Sequence, residues 1–371
     1  MEITVSKFEL LRELTATQGV VERKTTIPIL SNYLLEAAGD KLSITATDLD
    51  LSLRTSCSAK IKKEGSCTIP ARKLHDYVKL LPDAEITIKL LENHWVSIRC
   101  GRSNTKMVGM ARSNFPSLPV FPTAGVVNIP AQVLRSMIAK TGFAIANEES
   151  RYTLNGALMV LKPESITMVA TDGHRLAHIE RPGEKFEGIS GEMKTLIPKK
   201  AMDELKSLVD STDVETIEFA KDESTLFFRI GPRLLTSRQL TGQFPNFEAV
   251  LPKDNNKHIT LHGDELNAAI QRVSQFADER SRAVRLRLEK GELKLSASST
   301  ETGESEDSIE TDYNGDGLTI GFNAIYLLDF LKAVGSGDVR LELKDSQSAG
   351  QLRPGDSEDY KYRYIVMPMR I

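Results

Sequence analysis

Apolar positions along this chain recur in the same order three times. A short alternating segment comes first: Ile3-Thr4-Val5, Val127-Asn128-Ile129 and Ile259-Thr260-Leu261. Alternation with period two predicts a half-buried strand at each place. Apolar pairs at helical spacing follow: Leu10 and Leu14, Leu134 and Ile138, Leu266 and Ile270. Each pair predicts a helix that packs through one face. Ser6-x-x-Glu9 reads as a capping box for the first of them. A further strand is predicted at Leu42–Asp48, Ile166–Asp172 and Leu293–Ser298, and the first two end in Ala-Thr-Asp.

The second helix of each copy sets the register. Leu74, Tyr77, Val78 and Leu81 in the first copy match Leu327, Phe330, Leu331 and Val334 in the third. The middle copy has Met202, Leu205 and Val209, with Lys206 interrupting the stripe. Strands follow at Ile86–Ile88, Thr216–Phe219 and Val339–Leu343. Pro70 and Pro198 are expected at or near the first turn of these helices, where a missing N–H costs nothing. The period is roughly 125 residues. The fold class expected is therefore α+β, built from three repeated domains at 1–122, 126–250 and 251–371. Turn-rich linkers lie near Phe121-Pro122-Thr123 and Leu251–Asn256.

Composition narrows the class. Of 371 residues, 40% are hydrophobic and 27% charged, as in globular proteins. No apolar run of about 18 residues is present, so no membrane span is expected. The start, Met1–Lys7, lacks the basic end and apolar core of a signal peptide. Cys57, Cys67 and Cys100 form no CxxC pair, which suits reduced thiols better than a disulfide frame or a zinc site. A cytoplasmic location is expected. The net charge of −3 neither requires nor excludes nucleic acid, so the placement of charge decides.

Catalytic motifs are missing. There is no GxxxxGK[ST], no GxGxxG after a strand and no HExxH. Asp312–Gly317 resembles the start of a calcium loop, but the twelfth position is Asn323 instead of Glu, and a polar turn between strands is the plainer reading. His174 and His178 are four apart, yet they follow a strand, so a turn or strand is expected there and not a metal-binding helix face. Asp172 with His174 offers an acid–base pair, a structural turn or a recognition surface. The recognition surface is preferred, because no second activated group is in sight.

Basic residues repeat on the predicted helices. Arg72 and Lys73 open one second helix, Lys199 and Lys200 another, and Lys79, Lys206 and Lys332 follow further along. Lys7, Arg12, Arg135 and Arg272 add to the first helices, and Arg23 and Lys24 to the loop after the first. Singly, each is a solvated helix face. Repeated at corresponding places, they are expected to present one surface that holds phosphates without reading bases.

Several segments then act jointly: Thr26-x-Pro28-Ile29-Leu30-x-Asn32, Arg151-Tyr152-x-Leu154-Asn155-Gly156, Ala170–Ala177, Phe244-Pro245-x-Phe247 and Tyr364–Ile371. With them the chain resembles, over essentially its whole length, the bacterial DNA polymerase III beta subunits, the sliding clamps. That resemblance implies a head-to-tail homodimer closing a six-domain ring, helices inside and sheets outside. It implies sequence-independent binding of double-stranded DNA, and tethering of the polymerase III alpha subunit. A clamp loader and other clamp-binding-motif proteins of replication and repair are the further partners implied. No catalysis, cofactor or metal is implied.

By resemblance, DNA contacts fall on Lys24, Arg72 and Tyr152, with Lys199 and Lys200 close by. The partner-peptide pocket falls on Leu154, Thr171, Gly173, His174, Arg175, Leu176, Pro245, Val250, Tyr326, Met367, Pro368, Met369 and Arg370. Glu148, Thr153, Ala249 and Gln347 depart from the family pattern. For the dimer contact, the acidic stretch with Glu301 and Glu304 is the candidate partner of Arg102 and Lys106, with Phe276 against Met107. Two unrelated solvated runs are the alternative.

Overall fold

The computed structural model describes residues 1–22, 25–148, 152–189, 191–355 and 359–370. The first repeat runs β1 (Glu2–Ser6), α1 (Lys7–Thr17), β2 (Asn32–Ala38), β3 (Lys41–Thr47), β4 (Leu51–Ser58), β5 (Lys60–Lys63), β6 (Gly65–Pro70), α2 (Ala71–Leu80), β7 (Glu85–Leu90), β8 (Trp95–Cys100) and β9 (Ser103–Val108). The second runs β10 (Val127–Pro130), α3 (Ala131–Thr141), β11 (Gly156–Lys162), β12 (Ser165–Thr171), β13 (Arg175–Pro182), β14 (Met193–Pro198), α4 (Lys199–Asp210), β15 (Thr216–Lys221), β16 (Thr225–Ile230) and β17 (Arg233–Arg238). The third runs β18 (Lys257–His262), α5 (Gly263–Ser274), β19 (Ala283–Glu289), β20 (Glu292–Ser299), β21 (Gly303–Glu310), β22 (Leu318–Asn323), α6 (Ala324–Val334), β23 (Asp338–Leu343), β24 (Gly350–Pro354) and β25 (Lys361–Val366). The order is the same three times, apart from the extra β5.

Every strand pair among the described residues is antiparallel, and four sheets result. Two have eight strands, in the orders β10-β15-β16-β17-β4-β3-β2-β6 and β14-β11-β12-β13-β25-β24-β23-β18. The others are the five-stranded β5-β1-β7-β8-β9 and the four-stranded β21-β20-β19-β22. Each eight-stranded sheet is a fusion. The last strand of one repeat pairs with the third long strand of the repeat before it: β17 with β4 through Leu235↔Leu53, and β25 with β13 through Tyr364↔Ala177.

Two compact units follow from these fusions: Met1–Gln132 with Lys200–Gln239, and Val133–Lys199 with Leu240–Ile371. The middle repeat is divided between them, because each of its half-sheets is completed by a neighbour. Compactness therefore follows the sheets, whereas the expected bounds of 1–122, 126–250 and 251–371 follow the order of elements.

Within each unit the predicted helix stripes form the core. Leu10, Leu14, Leu74 and Val78 are fully buried in one unit, and Ile270 and Phe330 in the other. Burying one such side chain is worth about 1.5–3 kcal/mol. Phe330 stacks on Tyr362 and Tyr364 at 5.6 and 5.3 Å. In α4 the stripe avoids its interruption: Lys206 is exposed, and Leu208 joins Met202, Leu205 and Val209 inside.

One local expectation needs correction. Ser6 stands at the α1 N-cap, but its side chain makes no capping bond. The Lys7 amide, another first-turn N–H, donates to the Ala84 carbonyl at 3.3 Å, so a tertiary neighbour meets part of what the helix start leaves open. Pro70 and Pro198 close strands β6 and β14 directly ahead of their helices, beside the first turn as expected. The three cysteines are free and buried, and burial pushes the Cys57 and Cys67 thiols up to about 12.

Candidate functional site

The turn between β12 and β13 is built by Thr171, Asp172 and Gly173. The Thr171 hydroxyl donates to the Arg175 carbonyl at 2.6 Å and accepts the Gly173 N–H at 3.1 Å. Asp172 Oδ1 accepts the His174 and Arg175 N–H groups at 2.9 and 3.1 Å. In this turn the chain crosses into the left-handed region at Gly173, φ 89°, which glycine adopts without steric cost. His174 is left exposed at the tip, and its carbonyl accepts the Met367 N–H at 2.9 Å. The turn and the C-terminal segment are thereby held together.

Arg175 differs from the lining role expected of it. Its side chain is 10% exposed and its donors are largely spent inside the unit. Nε reaches Asp172 at 3.0 Å, Nη1 reaches Asp329 at 2.5 Å, and Nη2 reaches the Phe143 carbonyl at 2.6 Å. The guanidinium lies 4.4 Å from the Tyr326 ring centroid. Burial opposes its charge, but the Tyr364 hydroxyl, Asp329 and Asp172 outweigh that and raise its pKa above the ordinary arginine value. Arg175 is thus a brace between the β12–β13 turn and α6. Asp329, Phe143 and Tyr364 were not legible as site residues, since nothing in the sequence tells which distant groups close around a buried arginine.

Below the turn lies an apolar cluster of Leu158, Val160, Val169, Leu176, Leu196, Phe244 and Ile365. Leu154, Leu240, Phe247 and Leu251 pack against it while half-exposed. Phe247 also stacks on buried His178 at 5.4 Å. Pro245, Val250 and Met367 are exposed around it, with Val250 and Met367 at 47% and 43%. Thr171 and Leu176 are buried, and Tyr326 and Pro368 half-buried. Met369 crosses to the four-stranded sheet, where its N–H reaches the Gly321 carbonyl at 2.8 Å. Met369, Arg370 and Gln347 line a concavity of about 470 Å³ there with Arg285. Flexible methionines beside a greasy floor suit a surface that accepts more than one apolar side chain.

The basic residues divide into two groups. Arg72, Lys73, Lys79, Lys206 and Lys332 are exposed, and none has an ion-pair partner among the described residues. Others are engaged: Lys7 with Asp83 at 2.9 Å, Arg12 with Glu13 at 2.7 Å, and Arg272 with Asp307 at 2.6 Å. Lys200, expected on phosphates, holds Asp48 and, at 3.4 Å, Glu22. Lys199 is half-buried, Tyr152 is 74% exposed, and Lys24 lies outside the described residues. No three His, Cys, Asp or Glu side chains gather as a metal would need, among the described residues. No helix is long and apolar enough to cross a membrane, among the same residues.

Three family models match the chain in order: the DNA polymerase III beta subunit N-terminal domain over residues 1–119, the central domain over 128–246 and the C-terminal domain over 248–370. The chain belongs to the DNA polymerase III beta subunit family. It is 35% identical to the beta sliding clamp of Caulobacter vibrioides and 36% identical to that of Pseudomonas putida, each match covering 100% of both chains. Among solved structures it is similar to the DNA polymerase III subunit beta of Pseudomonas aeruginosa, with TM-score 0.92 at 35% identity. It is also similar to a sliding clamp of Bartonella birtlesii, with TM-score 0.94 at 32% identity. Both alignments cover 100% of each chain.

The tail of each repeat is pinned to the strand ahead of its second helix, once through a hydroxyl and twice through a main-chain carbonyl. After β9, the Met110 N–H reaches Thr68 Oγ1 of β6 at 2.8 Å. After β17, the Leu240 N–H reaches the Leu196 carbonyl of β14 at 3.1 Å. After β25, the Met369 N–H reaches Gly321 of β22. Asp48 shapes the same turn in the first repeat, accepting the Asp50 and Leu51 N–H groups at 2.9 and 2.6 Å. Leu49 stands there at φ 84°, where the second repeat has Gly173.

Three of the residues singled out for a dimer contact sit on open edges. Lys106 and Met107 belong to β9 and Glu304 to β21, each an edge strand. Arg102 and Glu301 are exposed in the turns preceding those strands, and Phe276 is half-buried after α5.

Proposed function

We propose that two copies of this chain close head to tail into a ring around duplex DNA. The ring would hold the replicative polymerase on its template and do no chemistry itself. One observation carries this reading. In the order of strands, β17 pairs with β4 and β25 with β13, which leaves β9 and β21 as the remaining members of the same series, both at open edges. Joining β9 of one copy to β21 of the next repeats the junction already made twice within the chain. A heterologous contact that closes after two copies makes a ring. Charge agrees: β9 and its turn carry Lys106 and Arg102, while β21 carries Glu304, Glu306, Asp307 and Glu310.

Such a ring needs only weak, sequence-blind contacts to DNA, and the unpaired cations Arg72, Lys73, Lys79, Lys206 and Lys332 supply them. Lys24, Tyr152, Lys199 and Lys200 are proposed alongside. The apolar cluster under the β12–β13 turn, rimmed by Leu154, His174, Pro245, Val250 and Met367, takes the partner peptides. These partners are the polymerase III alpha subunit, the clamp loader and other proteins with clamp-binding motifs. A cytoplasmic location goes with this role.

The test is topological. The protein is loaded on nicked circular DNA with a clamp loader and ATP, isolated, and held in high salt before the DNA is linearised. Retention on circles and loss on cutting are expected. Equal loss from circles and linear DNA, with a loader shown to be active, overturns the ring.

A further inference from the structure

The eight-stranded sheet that carries the apolar cluster has a second feature on the strands of the third repeat. A trough of about 390 Å³ is lined by Arg340, Arg353, Tyr360, Lys361 and Arg363 together with Pro354, Gly355 and Tyr362. Four of its lining side chains are cations, and no carboxylate lines it among the described residues. Arg340 and Arg353 are cross-strand partners in register, so two like charges face each other on β23 and β24. Like charges placed so are unfavourable unless something offsets them.

The offset within the chain is partial. Buried Glu342 reaches Arg353 at 3.3 Å, and Glu180 reaches Lys361 at 3.7 Å. Arg340 is exposed with no ion-pair partner among the described residues. Arg353 Nε is buried with no hydrogen-bond partner among them. Arg363 donates to the Gln351 side chain at 2.6 Å and to the Pro252 carbonyl at 3.0 Å, neither of them charged. Burial and the neighbouring Arg353 hold its pKa below the usual arginine value. Among the described residues, two carboxylates stand against four cations, which leaves the lining positive.

The trough also adjoins the proposed peptide pocket. Arg363 and Ile365 lie on one strand, β25, which leads directly to Met367, and the Pro252 that Arg363 holds ends the segment bearing Pro245 and Val250. At about 3.3 Å per residue, the four steps from Met367 back to Arg363 span about 13 Å, the reach of four or five extended residues.

We infer that the trough of Arg340, Arg353, Lys361 and Arg363 is a docking surface for an acidic peptide segment that flanks the apolar anchor of a partner. This rests on the pocket reading given above and deepens it. An apolar anchor alone selects for greasy side chains. An acidic flank adds selection among partners and speeds their encounter, because complementary charge acts before contact.

The test uses the full-length protein and fluorescence anisotropy. The probes are synthetic peptides with a leucine- and phenylalanine-bearing anchor, extended at either end by four serines or by four aspartates. At low salt, an aspartate extension at one end is expected to tighten binding about five- to tenfold over serine. The gain should vanish in 0.5 M salt and in the Arg340→Gln/Lys361→Gln double variant, whose affinity for the serine peptide stays unchanged. If no serine peptide binds, the pocket reading fails. If the serine peptides bind and aspartate adds nothing, the trough proposal fails alone. It is also overturned if the gain persists in the double variant. A gain that emerges only after Asp356, Glu358 and Asp359 of the β24–β25 loop are neutralised overturns it too, since the chain's own loop would then be the occupant. Oligo-dT retained more tightly than the aspartate peptides, and lost in the same variant, assigns the surface to nucleic acid and overturns it as well.

Discussion

Glu13 shows what a single residue does here. It stands in the apolar stripe of α1 and is 1% exposed. Arg233 meets it through Nε at 2.9 Å and Nη2 at 3.2 Å, the Thr55 hydroxyl at 2.6 Å and Arg12 at 2.7 Å. Burial alone would raise the carboxyl's pKa, but bonds from Arg233, Thr55 and Arg12 hold it below 4.5. A depressed folded value means stability that is present above 4.5 and lost as pH falls through the folded value. Glu13→Gln leaves Arg233 buried without its counter-charge and should cost about 3–5 kcal/mol, read from urea unfolding at pH 7. The variant should also lose the wild type's extra acid sensitivity below pH 4.5. Leu49 and Gly173 make a second comparison, since both hold the same left-handed turn position. Gly173→Ala should lower stability by about 1–2 kcal/mol. Leu49→Gly should recover less than that, because it also frees the unfolded chain. Melting temperatures of the two variants check the opposite signs.

At the scale of elements, the open edges β9 and β21 are the most consequential. An unpaired edge invites pairing, and an exposed edge strand in a monomer is ordinarily blunted by charge. Here the charges are of opposite sign on the two edges, which favours one pairing over self-association of either. Lys106→Glu should weaken dimerisation several-fold in sedimentation equilibrium, and so should Glu304→Lys. Combining the two should recover part of the loss at low salt. Exposed pairs are worth only about 0–1 kcal/mol each, so main-chain pairing and apolar packing must supply most of the contact. Partial dimerisation in each single variant is therefore the expected outcome.

For the whole molecule, the proposed ring makes holding DNA and touching DNA separable. Neutralising Arg72, Lys73 and Lys206 to glutamine should weaken binding to linear duplex. The slope of log affinity against log salt should become shallower by about 0.9 for each phosphate that the variant no longer neutralises. Retention on circular DNA at high salt should not change, because a closed ring needs no ion pairs to stay on. A steep fall in both measurements would mean that ionic attraction, and not topology, holds the protein.

The sequence by itself determined the repeat, the elements and their facing. Leu10, Leu14, Leu74, Val78, Ile270 and Phe330 were readable as core because helix and strand periods are local properties of side-chain spacing. The Asp172-Gly173 turn was readable for the same reason, since its bonds run between residues two or three apart. Tertiary structure alone decided the rest. Which strand completes which sheet, Arg233 against Glu13 and Asp329 against Arg175 join residues far apart in the chain, and the trough of four cations depends on the register of β23, β24 and β25. Their pairing depends on where packed elements bring charges, and periodicity carries no record of that. Ser6 makes the same point in reverse: a local capping signal was present, yet no capping bond formed, and the next N–H, of Lys7, is met by the distant Ala84 carbonyl.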